Sequence, residues 1–157
     1  MPSCGKTTVG RILSEKLGQP FLDTDESYTK RYGETPGQTI RLHGEACFRS
    51  REALEIAEAG TKNGTVIAVG GGAVLCRQNV WELKKNGILI WLDRSPALLT
   101  VTEDRPLSDT KEKLVQLAKE RRPQYQSAAD DGMAADDAPE VIADRILAKW
   151  DGGEITL

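Results

Sequence analysis

Histidine is almost missing from this chain: His43 is the only one in 157 residues. The three cysteines, Cys4, Cys47 and Cys76, are far apart and odd in number. They offer neither zinc-ligand spacing nor a disulfide framework, so a reducing cytoplasm is the expected setting. Neither sign of charge dominates, and a net charge of -3 gives no argument for nucleic acid or an anionic membrane as a partner. No apolar run approaches the roughly 20 residues of a membrane-crossing helix, and no signal-peptide pattern is visible. What remains, 39% apolar and 29% charged residues, is the composition of a soluble globular protein. At this length one domain over residues 1–157 is expected.

The first stretch carries the strongest signal. Met1-Pro2-Ser3-Cys4-Gly5-Lys6-Thr7-Thr8 reads as a phosphate-binding loop without its leading glycine. The full pattern is Gly, four residues, then Gly-Lys-Ser/Thr. Backbone N–H groups from Ser3 to Thr8 and the N-terminus of the following helix point at phosphate oxygens. Gly5 permits close approach, Lys6 reaches the β- and γ-phosphates, and the Thr7 hydroxyl can ligate Mg²⁺. The plain alternative is an ordinary helix start with a chance Gly-Lys-Thr.

Further along, periodicity predicts strands alternating with helices. Thr7 to Leu17 is helical and Gly18 stops it. Pro20-Phe21-Leu22 with Asp23-Thr24-Asp25 reads as a strand ending in two carboxylates on alternate positions, so that both point to one side. Helices follow over Glu26 to Tyr32, Pro36 to His43 and Glu45 to Ala59. Thr65 to Val69 and Ile88 to Leu92 are apolar runs suited to parallel strands buried on both faces. The first ends in Gly70-Gly71-Gly72 and the second in Asp93. Cys76 to Lys85 is helical, Ser95-Pro96 opens another helix, and Glu103 to Thr110 is a polar loop. Lys111 to Arg122 and Pro139 to Trp150 are the last helices. The expected fold is α/β, a parallel sheet with helices on its faces, and ligands in such sheets bind beyond the carboxyl ends of the strands.

Several residues at those ends can carry chemistry. Asp23 and Asp25 suit phosphoryl transfer, one near Mg²⁺ and one near an acceptor hydroxyl; the alternative is a helix N-cap. Gly70, Gly71 and Gly72 expose backbone amides to a ligand, or form a plain turn. Arg49, with Glu52 three residues on, can clamp a carboxylate, although spacing alone favours a solvated pair. Arg105 can be a lid residue closing on phosphates. Arg121 and Arg122 can simply complement a helix end. Cys4 sits inside the phosphate loop, where a helix N-terminus lowers thiol pKa, and His43 reads as filler.

Taken together and in this order, the pieces resemble the shikimate kinase family. The matching stretches are Gly5-Lys6-Thr7-Thr8-Val9-Gly10-Arg11, Phe21-Leu22-Asp23-Thr24-Asp25, and Gly44-Glu45 with Phe48-Arg49 and Glu52. Gly70-Gly71-Gly72-Ala73, Arg105-Pro106-Leu107, and Glu120-Arg121 with Pro123 and Tyr125 complete them. The resemblance implies a P-loop kinase fold of the nucleoside monophosphate kinase kind and transfer of the γ-phosphate of ATP to the 3-hydroxyl of shikimate. It implies that Ser3, Cys4, Gly5, Lys6, Thr7 and Thr8 hold ATP, and that Thr7 binds Mg²⁺ with support from Asp23. Asp25 would bind the substrate hydroxyls and act as base. Arg49 and Arg121 would grip the carboxylate beside Gly70, Gly71 and Gly72, and Arg105 would reach over from a lid at about 103–113.

The sequence departs from the family in three places. The opening strand and the leading Gly of the loop are absent, and the expectation is a shortened gene product begun at an internal Met. No Arg stands between Leu98 and Glu103, where the family carries one against adenine. The last strand, near Asp130 to Asp136, is poorly apolar and expected to be frayed or irregular. Rival readings are another small-molecule kinase of this fold, such as a gluconate kinase, and an impaired nucleotide-binding remnant. A monomer is expected, because no apolar surface stripe asks for a partner, and residues 151–157 form a tail without a reading.

Overall fold

Helix α1 (Lys6–Leu17) begins one residue before its expected start and ends at Gly18. The computed structural model describes residues 4–100 and 110–151. Strand β1 (Phe21–Asp23) leads directly into α2 (Thr24–Tyr32), with Asp23 as its N-cap. Next come α3 (Pro36–His43), closed by a Thr35/Gln38 capping box, and α4 (Glu45–Ala59). Strand β2 (Val66–Ala68) is followed by the glycine run, one 3₁₀ turn (Ala73–Leu75) and α5 (Arg77–Lys84). Strand β3 (Ile90–Asp93), α6 (Lys111–Ala128), β4 (Asp131–Ala134) and α7 (Pro139–Asp151) complete the order. Ser95-Pro96 opens only a single 3₁₀ turn, Pro96–Leu98.

The strands run parallel, in two pairs. Phe21 faces Val66, Leu22 faces Ile67 and Asp23 faces Ala68. Ile90 to Asp93 pair in the same way with Asp131 to Ala134. Among the described residues no ladder joins the two pairs. This register puts the carboxyl ends of β1 and β2 level, so α2 and the glycine run leave the sheet side by side. The last strand is regular rather than frayed: its hydrogen bonds and the buried Met133 hold it without a long apolar run. The strands read as buried on both faces are only half-buried, with Ala68 and Leu92 fully inside.

One core cluster joins α1 (Val9, Leu13), α6 (Leu114, Ala118, Tyr125) and α7 (Ile142, Ala143, Ile146) around Leu92, Leu99 and Met133. Another contact set lies under α2 to α4. There the buried Tyr28 meets Phe48 edge-on at 5.5 Å and donates its hydroxyl proton to Thr39 Oγ1 at 2.9 Å. Leu54, although apolar, is exposed on α4.

Candidate active site

The loop comes first. Gly5 sits at the N-cap of α1 with φ 87°, a left-handed conformation that favours glycine. No side chain caps this end of the helix, and its first turn holds no acidic residue. The positive end of the helix dipole is therefore left for an anion. Lys6 Nζ lies 3.9 Å from Cys4 Sγ, and Cys4 is completely buried. Burial works to raise the Cys4 thiol, but the positive charge around it, Lys6 above all, brings it below an ordinary thiol.

Asp23 caps α2, as the alternative reading has it, and also reaches the loop. Its Oδ1 accepts from the backbone N–H of Asp25 at 2.9 Å and of Glu26 at 3.4 Å, capping α2. Its Oδ2 accepts from Thr7 Oγ1 at 2.7 Å. The loop is thus tied to the start of α2 through one carboxylate. Because the helix begins at Thr24, Asp25 lies in its first turn rather than on an extended strand, which corrects the alternating placement. Thr7 and Asp23 together present hard oxygen donors. That suits Mg²⁺, which takes one or two protein oxygens and completes its shell with phosphate and water. No group of three or more His, Cys, Asp or Glu among the described residues would hold a metal by itself.

The glycine run closes against α2 and α4. Gly70 donates its N–H to the buried Thr24 hydroxyl at 3.2 Å. A Cβ on Gly70 would lie 3.1 Å from both Asp25 Oδ1 and Glu52 Oε1. One on Gly72 would lie 2.7 Å from Arg49 Nη2. Only glycine lets the chain lie this close to three charged groups.

Arg49 is held on both sides. Its Nη1 donates to Glu52 Oε2 at 2.7 Å, while Nη2 and Nε donate to Glu45 Oε1 at 2.8 and 3.1 Å. The Arg49–Glu52 pair is not the solvated pair that spacing favours, since Glu52 is only 6% exposed. Burial pushes the Glu52 carboxyl upward, and the Asp25 charge adds to this against the pull of Arg49 and Arg121. Burial also works against the Arg49 charge, but Glu52 and Glu45 more than restore it. Asp25, Arg49 and Arg121 therefore share one electrostatic neighbourhood around Glu52.

Arg121 and Arg122 do not end a helix, because α6 continues to Ala128 through Pro123. Arg122 forks onto Asp93 at 2.9 and 2.5 Å and lies over Trp91. It fixes α6 to the end of β3. Tyr125, four residues after Arg121, is buried, stacks on Trp91 and donates to the Gly71 carbonyl at 2.7 Å. This bond joins the glycine run to the helix that carries Arg121. The sequence reading gave no role to Tyr125 or Glu45; their i,i+4 spacing to Arg121 and Arg49 was the available signal. His43 lies at the surface against Glu34. Ser3, Arg105, most of the lid and residues 152–157 fall outside the described residues.

A family model described as shikimate kinase matches residues 2–151. A shikimate kinase of Symbiobacterium thermophilum is 42% identical over 134 residues, covering 80% of this chain and 77% of its own. Shikimate kinase 1 of Yersinia enterocolitica is 36% identical over 91% of this chain and 88% of its own. Among solved structures, the shikimate kinase of Acinetobacter baumannii in complex with shikimate superposes with a TM-score of 0.92 at 32% identity, covering 99% of this chain and 92% of that one. That of Aquifex aeolicus gives 0.83 at 30% identity, over 98% and 94%.

Proposed function

This chain belongs to the shikimate kinase family, and we propose that it performs the family's reaction, ATP-dependent phosphorylation of shikimate at the 3-hydroxyl, with the residues gathered at the ends of β1 and β2. The observation that carries this reading is the clustering of Asp25, Glu52 and Arg49 against Gly70 and Gly72, with Asp25 in the first turn of the helix that Asp23, bonded to Thr7, caps.

In this reading the Gly5 to Thr8 amides and Lys6 hold the triphosphate of ATP, with Ser3 and Cys4 completing the loop. Thr7 and Asp23 would hold Mg²⁺, which would supply positive charge to offset that of the phosphates. Arg49, aligned by Glu52, takes the shikimate carboxylate as a two-point partner together with Arg121. Gly70, Gly71 and Gly72 leave room for the ring. Asp25 accepts the proton of the hydroxyl whose oxygen bonds to the γ-phosphorus, while the bond to the β–γ bridging oxygen breaks and ADP leaves. Lys6 and Arg105 balance charge on the moving phosphoryl group. Most of the catalysis is positioning, which the rigid Asp23, Glu52 and Tyr125 contacts serve.

No helix among the described residues is long and apolar enough to cross a membrane, and no cysteine among them is in a disulfide. We take the chain to be a single cytoplasmic domain that acts as a monomer on small molecules, and the net charge of -3 gives no argument for nucleic acid. The test is ADP release in a coupled assay with shikimate and, in parallel, gluconate. The expected result is turnover that needs shikimate, disappears in Asp25→Asn, stops on chelation of Mg²⁺ and returns when Mg²⁺ is restored. Turnover of gluconate instead would move the assignment to a related sugar-acid kinase. The family match over residues 2–151 favours shikimate.

A further inference from the structure

Arg94 is the residue that follows β3. The Asp93 side chain turns to Arg122 on one face of the strand, and alternation sends Arg94 to the other face, where Leu92 is buried. That face meets the phosphate loop: Arg94 Nη1 lies 3.8 Å from the position a Cβ on Gly5 would take. Its Nε is buried and has no hydrogen-bond partner among the described residues.

The surroundings make this arrangement costly without a ligand. The N-terminus of α1 brings a partial positive charge, and Lys6 brings a full one. The first turn of α1 holds no acidic residue. Asp23, the carboxylate that does reach the loop, already accepts from Thr7 and from two backbone amides. A buried guanidinium N–H without an acceptor is destabilising, and here it stands beside like charge. An oxyanion at the helix end would lie beside Nη1 and offset the positive charge gathered there. A guanidinium suits phosphate oxygens because its donors form a planar fork. The segment from Leu98 to Glu103 holds no Arg that could serve the nucleotide instead.

We propose that Arg94 is a nucleotide-binding residue that donates to phosphate oxygens from the β3 side of the loop. This rests on the kinase reading above. The test compares Arg94→Ala, Arg94→Gln and Arg94→Lys with the parent chain, by steady-state kinetics and by calorimetric titration with inorganic tripolyphosphate. We expect Arg94→Ala to raise the KM for ATP and the Kd for tripolyphosphate about tenfold or more, with the KM for shikimate within about twofold of the parent. Arg94→Gln, which keeps a donor and loses the charge, should resemble Ala, and Arg94→Lys should recover much of the loss. Unchanged tripolyphosphate affinity in a folded Arg94→Ala or Arg94→Gln overturns the proposal. So does equal loss for both substrates accompanied by a lower Tm, which marks a purely structural role. A parent chain that binds neither ATP nor tripolyphosphate overturns the kinase reading and this one with it, whereas an active parent with silent Arg94 variants overturns this one alone.

Discussion

Arg49 is gripped twice before any ligand arrives, by Glu52 from inside and by Glu45 from the surface. Its guanidinium has little freedom to move aside. Gly72→Ala would place a methyl group 2.7 and 2.8 Å from Nη2 and Cζ, and the side chain can yield only by giving up one of its partners. The expected outcome is a rise of about tenfold in the KM for shikimate, the scale of one charge-assisted hydrogen bond, with the KM for ATP unchanged. Steady-state kinetics with each substrate varied in turn would check it. Glu52 makes a separate prediction. Burial raises its carboxyl, so the folded chain takes up this proton at a higher pH than the unfolded chain does. As pH falls from neutrality toward the ordinary carboxylate range, the group gains stability in the native state that its ionised form lacks. Denaturant titrations should show the parent gaining on Glu52→Gln as pH falls through that window. Over the same window, protonation loosens the hold on Arg49. The KM for shikimate should rise in the parent and be high and pH-independent in Glu52→Gln.

The helices and strands are placed by contacts that tolerate almost no added atoms. A Cβ on Gly60 would lie 2.5 Å from the Glu82 carbonyl oxygen, where the end of α4 meets α5. The obstacle is backbone, so it cannot rotate away. Gly60→Ala should cost about 1–3 kcal/mol despite the better helix propensity of alanine, and a thermal melt should show Tm falling by roughly 2–4 °C per kcal/mol. No change in Tm would mean that the two helices slide past each other easily. Most of these elements were legible in the chain. The windows for α3 and α4 are found unchanged, because a capping box, Gly44 and the 3.6-residue pattern mark them locally. The α2 boundary was misread because Asp23 and Asp25 also fit a strand of period two, and only the capping contacts of Asp23 decide. The run to Ala128 in α6 was hidden by Pro123, whose cost in a helix is offset by the Tyr125 and Arg122 contacts on either side.

For the molecule as a whole, the candidate site is made from five separate segments: the loop, the start of α2, α4, the glycine run and α6. Shikimate and ATP bind only the folded form, so each should stabilise it by mass action, about 2.7 kcal/mol at a hundredfold excess over Kd. Thermal melts should move upward with either ligand. In Arg49→Lys, which loses the planar fork, the shift with shikimate should largely vanish while the shift with ATP persists. Loss of both shifts would show that Arg49 supports the whole fold rather than one subsite. At this scale the sequence was least informative. The phosphate loop, the carboxylates and the glycine run were recognisable by residue type and order. The buried state of Glu52, the Tyr125–Gly71 bond and the division of the described strands into two pairs arise from contacts distant in sequence, which no local pattern encodes.

Asp23 shows how such contacts restrict a lineage of sequences. One of its oxygens starts α2 and the other meets Thr7. Asparagine or serine would keep the cap and lose the charge; glutamate would keep the charge and, being longer, lose the cap. Each neighbouring residue in sequence space fails one of the two requirements. Drift at this position is restrained from both sides, because a replacement gives up either the cap of α2 or the charge beside Thr7.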